Sequence, residues 1–402
     1  MSSLSPDDLS LLTDPQTAAL VEKHLGEEPA GLALRLKCGR DRARLVCQQV
    51  KYLGRAKTKL PSYHSARCII PPLPYEQCSS EAAAASKRYG GRLCIDLTGG
   101  LGVDSYYFSR SFDRVITVER DPVLARVERY NFDRLDAGNI TVENTSAEAF
   151  LAAYSGLKAD LIYLDPARRS EGERVFLLQD CSPDVVGLMP LLLEKAQRVL
   201  IKLSPLFDVQ EALRVFAGHV SKLEIVSIGG DVRELLVELT PRPEKTEVGV
   251  NRNGEQRFVF RPGDISRGAD EIGSAPEEYP FLLIPDAAFY KGRLVAALFR
   301  QYFPELHRHL SGQNGFAFAR ELPESFPGRA YRIIGGEPYS PKRLKKKLKE
   351  QGVKRINLLR RDFPHSSEEI KQALGVREGG TEWFAFTEIG GKPMVFRVEP
   401  AL

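Results

Sequence analysis

The 402-residue chain is poor in sulfur, holds one tryptophan and has no long apolar run. Its six cysteines (Cys38, Cys47, Cys68, Cys78, Cys94 and Cys181) are too sparse for a disulfide scaffold. None forms a CxxC pair and the six histidines do not cluster with them, so no metal site is expected. A helix needs about 20 apolar residues to span a bilayer, and the longest stretches, 185–193 and 281–284, fall far short. The first 30 residues carry Asp7, Asp8, Asp14, Glu22, Glu27 and Glu28, the wrong chemistry for a secretory leader. These absences predict a cytoplasmic chain with reduced thiols, no membrane partner and no metal.

What is present is an ordinary globular composition, 43% apolar and 27% charged, long enough for two to four domains. The net charge of +4 says little, but its distribution says more. Residues 32–60 hold nine basic side chains (Arg35, Lys37, Arg40, Arg42, Arg44, Lys51, Arg55, Lys57, Lys59) against Asp41 alone. Residues 340–361 hold ten (Lys342, Arg343, Lys345, Lys346, Lys347, Lys349, Lys354, Arg355, Arg360, Arg361) against Glu350. Two separated basic segments suit a polyanion touched from two sides. Solvated helix faces are the plainer alternative.

Residues 1–60 read as helical. Thr13-Asp14 is placed to cap a helix reaching Glu22, and residues 32–53 space apolar side chains at helical intervals. Leu60-Pro61 and Pro71, Pro72 and Pro74 predict an extended connection. Ser79-Ser80 predicts the start of a short Ala-rich helix. Strands over 92–97, 115–118, 140–142, 161–164 and 199–203 then alternate with helices, the last two over 122–136 and 188–197. Residues 223–228 and 235–239 face each other across Gly229-Gly230-Asp231 as a hairpin. The alternation implies a doubly wound parallel sheet. Beyond Pro241-Arg242-Pro243 the pattern becomes α+β, with strands over 256–260, 281–284, 331–334, 355–359, 383–387 and 394–398 and helices over 292–302, 342–351 and 367–374. The expected segments are 1–75 (helical and basic), 76–241 (α/β), 242–318 and 319–402 (both α+β).

The strongest local signal is Asp96-Leu97-Thr98-Gly99-Gly100-Leu101-Gly102 between a strand and a helix. Such glycines let the backbone pass close beneath a ligand, but their spacing is wrong for a G-x-G-x-x-G dinucleotide fingerprint. Glu119 ends the second strand, 17 residues after Gly102, where a carboxylate can accept hydrogen bonds from ribose hydroxyls. Ser146-Ala147-Glu148 follows the third strand, and Asp165-Pro166-Ala167-Arg168-Arg169 the fourth. Open α/β sheets bind ligands at the carboxyl ends of their strands, so all four segments converge on one crevice.

On these residues, 92–240 resembles a class I S-adenosylmethionine-dependent methyltransferase. The longer run resembles the bacterial class I methyltransferases with a C-terminal THUMP-like domain, through Lys59-Leu60-Pro61, Tyr75-Glu76-Gln77-Cys78-Ser79-Ser80-Glu81, the glycine block through Ser105, Leu164-Asp165-Pro166-Ala167-Arg168-Arg169, Leu203-Ser204-Pro205 and Pro285-Asp286-Ala287-Ala288. The resemblance implies a Rossmann-like sheet ending in an antiparallel hairpin, with ferredoxin-like and THUMP-like domains after it. It implies S-adenosylmethionine as cofactor, and RNA (ribosomal or transfer) as partner by analogy. By position, Asp96, Gly100 and Gly102 would hold the methionine end of the cofactor, Glu119 its ribose, and Ser146 and Ala147 its adenine, with Thr98, Gly99 and Asp104 also at the cofactor. Ser79 and Ser80 would meet its carboxylate, and Asp165 would line the same crevice. Thr98 stands where the family's first glycine is usual, and Ser146 where aspartate is frequent.

Asp165, Pro166 and Arg168 form the expected catalytic turn. Enzymes that methylate exocyclic amines use an Asp/Asn-Pro-Pro-aromatic turn; here Ala167 and Arg168 replace its second half. Arg168 has the chemistry to stack on a base or bind a phosphate. Asp-Pro-x-Arg is also similar to the turn of uridine carbon-5 methyltransferases, which need a cysteine nucleophile after the fifth strand. Ser204 stands there instead, and Cys181 is expected as buried packing in a helical stretch. Nitrogen methylation is therefore the first reading. Arg168, Arg169, Lys202, Lys342, Arg343 and Lys346 are the expected substrate contacts, with Lys202 equally readable as an edge residue. His307 and His309 read as surface helix residues, and Trp383 as core. Methylation of a protein or small molecule, or RNA binding without catalysis, are the competing readings.

Overall fold

The computed structural model describes residues 4–168, 178, 181–265, 279–306, 308–310 and 315–401, the side chains of 168 and 308–310 excepted. Arg169 and His307 lie outside the described residues, as does the side chain of Arg168. Two compact units divide the chain: residues 1–228, 233–246 and 253–255 form the first, and residues 229–232, 247–252 and 256–402 the second.

The first unit opens with helices α1 (Pro6–Leu12), α2 (Pro15–His24), α3 (Leu32–Arg35), α4 (Arg40–Lys59), α5 (Pro61–Ser65), α6 (Pro72–Gln77) and α7 (Glu81–Ser86). The alternating part follows as β1 (Gly91–Asp96), α8 (Val103–Phe108), β2 (Phe112–Val118), α9 (Pro122–Arg134), β3 (Ile140–Glu143), α10 (Ala147–Ala153) and β4 (Ala159–Leu164). Then come β5 (Ala167–Arg168), β6 (Cys181–Ser182), α11 (Val185–Lys195), β7 (Ala196–Leu203), α12 (Val209–Val215), β8 (Val220–Ile228) and β9 (Asp231–Leu239). The long strands of this unit run in the order β3-β2-β1-β4-β7-β9-β8. β1 pairs in parallel with β2 and β4, and β7 in parallel with β4, whereas β9 runs antiparallel to β7. The expected parallel sheet with an antiparallel ending is present.

The local reasons are ordinary ones. Asp121 caps α9 by accepting from the amides of Val123 (2.8 Å) and Leu124 (3.1 Å), and Pro122 fits its first turn. The sheet buries Cys94, Val115, Leu161, Leu200, Val226 and Leu236 around Phe108 and Tyr163. The expected extended link is present only from Cys68 to Pro71; Pro72 and Pro74 lie in a helix. Proline is tolerated in a first helical turn, and Pro72 starts α6. Cys181 is buried, as expected, but lies on the short strand β6 rather than a helix.

The N-terminal helices are not a separate layer. Leu32, Val46, Val50, Leu53 and Tyr63 share one core with Leu101, Val103, Tyr106 and Phe132 of the alternating part. Between them runs a buried extended stretch, Cys68 to Pro71, whose backbone groups have no sheet to pair with. Two buried side-chain amides substitute. Asn131 accepts from the Ile69 amide (2.8 Å) and donates to its carbonyl (2.9 Å), and Gln49 does the same for Ile70 at 3.0 and 3.1 Å.

In the second unit, β10 (Glu247–Arg252) and β11 (Gln256–Phe260) form an antiparallel pair. The rest is β12 (Phe281–Pro285), α13 (Ala287–Lys291), α14 (Val295–Tyr302), β13 (Arg308–Leu310), β14 (Ala317–Ala319), β15 (Gly328–Pro338), α15 (Pro341–Glu350), β16 (Arg355–Arg360), α16 (Ser367–Leu374), β17 (Arg377–Ile389) and β18 (Lys392–Pro400). One sheet, ordered β13-β14-β12-β15-β18-β17-β16, runs through residues on both sides of position 318. His309 lies on β13, not on a helix. Leu344 and Leu348 of α15 pack with Ile356, Ile370, Phe384 and Phe386. Trp383 is half-buried against Tyr331, ring centroids 5.5 Å apart.

Replacing Asn131 by leucine leaves the buried N–H and C=O of Ile69 unpaired, at about 1–3 kcal/mol each. Urea unfolding of Asn131→Leu is expected to show a loss of about 2–5 kcal/mol; a change under ~1 kcal/mol would show that the stretch is satisfied otherwise.

Candidate cofactor and acceptor site

A cavity of about 730 Å³ opens at the carboxyl ends of β1, β2 and β4, within the roughly 300–1,000 Å³ usual for small-molecule sites. Its walls are the loop 97–101, Val118 to Asp121, Thr145 to Glu148 and Asp165, which brings all four sequence signals together. Beside Ser79, which the resemblance placed here, stands a wall not legible in sequence: Pro71 to Pro74, Gln77 and Cys78, supplied by the N-terminal helices. This lining fits the cofactor of the resembled family. The glycine loop makes the cradle. A Cβ on Gly99 would lie 2.3 Å from Glu128 Oε1 and 2.6 Å from Thr117 Oγ1, and Gly102, at φ 79°, would drive one into the Phe132 ring. Tyr63 holds the loop from outside, donating to the Leu101 carbonyl at 3.1 Å.

Glu119 accepts from the Gly100 amide (2.9 Å) and the Asp121 amide (2.7 Å), one on each oxygen. A carboxylate has about four acceptor sites, so it retains two for ribose hydroxyls. Burial raises its pKa against those two amides. Asp96 is 1% exposed and accepts from Ser105 Oγ (2.7 Å), the Thr98 amide (2.9 Å) and Thr98 Oγ1 (3.3 Å). Burial outweighs these donors and pushes its carboxyl up to about 7. Thr98 also explains its own departure from glycine: its hydroxyl accepts from the Asp165 amide at 2.7 Å and so ties the end of β1 to the end of β4.

Glu128 escaped sequence reading, although an acid on the apolar face of a helix is a signal. It is fully buried beneath Gly99, and burial, with Glu119 and Asp96 nearby, holds its carboxyl well above the usual range. Its carboxyl supports the loop from below, against the position a Gly99 Cβ would take.

Behind Asp165 lies a buried ionic array. Lys202 pairs with Asp165, lies 3.9 Å from Asp104 and donates to Ser79 Oγ at 3.0 Å. Asp104 also accepts from Ser79 Oγ (3.0 Å) and the Tyr163 hydroxyl (2.9 Å), and pairs with Lys87 at 3.0 Å. Lys87 pairs in turn with Glu234 at 2.6 Å. Burial alone would raise Asp104, but Lys87 and Lys202 outweigh it and bring its pKa down to about 2. Burial raises Asp165 too, and there Lys202 only moderates the rise. Sequence spacing gave no sign of Lys87, Tyr163 or Glu234.

Several expected residues are occupied by the fold. Ser79 is spent within the array, Ser80 caps α7 by accepting from Ala83, and Ser146 caps α10 by accepting from Ala149. Ser146 and Ala147 nonetheless line the cavity. Pro166 follows Asp165, half-buried. Lys202 is no edge residue, since β7 has neighbours on both sides. In the N-terminal basic segment, Arg35 pairs with Glu27 (2.6 Å), Arg55 with Glu76 (2.5 Å), Arg42 with Asp14 and Arg44 with Asp8. Much of its charge is therefore answered internally. In the other unit, Lys342, Arg343, Lys345, Lys346, Lys347 and Lys349 are all exposed on α15, where Glu337 meets Lys347 (2.7 Å) and Arg343 (3.8 Å) and Glu350 meets Lys346 (3.9 Å). Among the described residues no metal-binding cluster occurs, and no helix is long and apolar enough to cross a membrane.

Glu119→Ala is expected to weaken S-adenosylmethionine binding at least ~tenfold in calorimetry, about 1.4 kcal/mol; unchanged affinity would misplace the ribose. The Asp96 pKa near 7 lies above the unfolded value, about 3.9. Its contribution to stability is therefore complete below about pH 4 and lost as pH rises toward 7. Asparagine cannot ionise, so melting curves of Asp96→Asn should gain on the wild type between about pH 4 and 7. Parallel curves would contradict this.

A family model for THUMP domain-like sequences matches residues 328–400. Two curated relatives from Mycobacterium tuberculosis (strains CDC 1551 / Oshkosh and ATCC 25618 / H37Rv) are described as uncharacterized S-adenosylmethionine-dependent methyltransferases. Each is 25% identical over 364 residues, covering 87% of this chain and 94% of its own. A crystal structure of a candidate methyltransferase from Porphyromonas gingivalis W83 superposes with a TM-score of 0.83 at 24% identity, covering 100% of both chains, and shows the same fold. Motif order, fold and relatives agree: the chain is an S-adenosylmethionine-dependent methyltransferase of class I architecture with a THUMP-like C-terminal part.

Proposed function

We propose that the enzyme methylates RNA at a base nitrogen. The observation that carries the RNA half is α15, ten residues long with six exposed cationic side chains and Leu344 and Leu348 turned inward. It lies within the THUMP-like residues 328–400. Phosphates are bound by such faces, and each neutralised phosphate makes affinity fall with salt. Lys342, Arg343 and Lys346 are assigned to this contact, and Arg168 and Arg169 to the base or its phosphate. The segments 242–318 and 319–402 are assigned to substrate binding as ferredoxin-like and THUMP-like parts.

The choice of nitrogen rests on the acceptor turn. When bound, S-adenosylmethionine supplies an electrophilic methyl on a sulfonium. Asp165 has its amide held by Thr98 and one carboxylate oxygen held by Lys202. Its second oxygen is left to accept an N–H from an exocyclic amine and so to aim the nitrogen lone pair. Attack through carbon 5 needs an activated thiolate. Cys78 is the one cysteine lining the cavity among the described residues, and burial pushes its thiol up to about 11. Its sulfur is engaged with the Tyr75 carbonyl.

Nucleoside mass spectrometry of total RNA from cells lacking the gene should show one methylated nucleoside missing. Wild type, but not Asp165→Ala, should restore it. No missing nucleoside, or cofactor turnover with a protein or small molecule instead, would overturn the reading. With RNA bound, Lys342→Ala combined with Lys346→Ala should flatten the log affinity–log salt slope by about 1.4.

A further inference from the structure

Five ionisable side chains form the array behind the cavity, and their exposure is uneven. Lys87, Glu234, Asp104 and Lys202 are 0%, 4%, 10% and 11% exposed, whereas Asp165 is 35% exposed. The array is thus a largely buried foundation that borders the cavity at Asp104 and Asp165, Asp165 being the more exposed of the two. Lys202 joins the two parts. An ammonium has three donors: one meets Asp165 Oδ2, one meets Ser79 Oγ at 3.0 Å, and the third faces Asp104 at 3.9 Å. Two are thus engaged inside the protein, and Asp104 draws the third electrostatically from beyond hydrogen-bond distance.

We propose that Lys202 is the positioning residue of the methyl-acceptor site, fixing Asp165 by one oxygen so that the other stays aimed at the acceptor amine. The role rests on the reading of Asp165 given above. Lys202 remains charged, because Asp165, Asp104 and Glu234 raise its pKa against the effect of burial. It therefore serves neither as a base nor as a proton donor. Its own place is set from below. Asp104 is gripped by Lys87, Tyr163 and Ser79, and Lys87 by Glu234, so β7 carries Lys202 into a socket made by α7, α8, β4 and β9. Removing one partner of such a pair leaves an unpaired charge in a desolvated site.

The test reads Asp165 directly, independently of any substrate. In the full chain labelled with ¹³C at the aspartate carboxyls, Asp165→Asn identifies the resonance. The charged groups acting on it are Lys202, Asp104 and Lys87. Lys202→Met should move its midpoint up by about one pH unit or more, and Lys202→Arg should keep it near the wild-type value. If the methionine variant does not fold, Ser79→Ala removes one anchor and keeps the charge, and a smaller rise in the same direction is expected. An unmoved midpoint in the folded variants overturns the proposal. In methyl transfer to RNA from cells lacking the gene, Lys202→Met should lower kcat about 100-fold with KM for S-adenosylmethionine within about threefold, and arginine should restore most of it. A loss confined to KM would make Lys202 part of the cofactor site and also overturns the proposal. If wild type transfers nothing to this RNA, the RNA reading fails while the titration still decides the role of Lys202.

Discussion

A carboxylate taken out of water is tolerated only where cations and donors take the place of its hydration. Asp104 meets that condition with Lys87, Lys202, Ser79 and Tyr163 around one side chain. These partners come from α7 and the turns flanking it, from β4 and from β7, while Glu234 on β9 completes the charge balance through Lys87. Strand order does the work: β4, β7 and β9 are consecutive neighbours, so their side chains meet behind the first strand's loop. The acceptor turn at Asp165 inherits its position from this cluster.

A second constraint is the thinness of the glycine loop. Gly99 has no room for a side chain because Glu128 and Thr117 press from below. Loop, helix α9 and the end of β2 are consequently one packed object, with Glu119 reaching back to the Gly100 amide. The N-terminal helices press from the other side through Tyr63 and the stretch clamped by Gln49 and Asn131. They supply a cavity wall as well as core, so the helical segment is part of the catalytic unit.

The two basic segments, alike in composition, are each answered in part by acids that folding brings near. On α4, Arg42, Arg44 and Arg55 meet Asp14, Asp8 and Glu76 from neighbouring helices, and before it Arg35 meets Glu27. On α15 the acids in reach are Glu337 and Glu350, too few for six exposed cations. A charge run signals a polyanion only after its own fold has answered what it can, and folding pairs residues far apart in sequence.

What the sequence determined by itself was the alternation of strands and helices and the four signals at the strand ends. Hydrophobic period, capping residues and glycine spacing are local, and sheet topology brings strand ends together without further information. The glycine loop after Asp96, Glu119, Ser146 and Asp165 accordingly meet at one cavity, with Asp96 itself buried beneath the loop's start. The tertiary structure alone decided what each residue has left to give. Ser79 and Ser80 read as ligand hydroxyls but are consumed by the array and a helix cap. Lys202 read equally as contact or edge residue, and its pairing with Asp165 and Asp104 depends on strands whose adjacency no spacing states. Glu128, Lys87 and Glu234 acquire their chemistry from burial, and burial is a property of the packed whole.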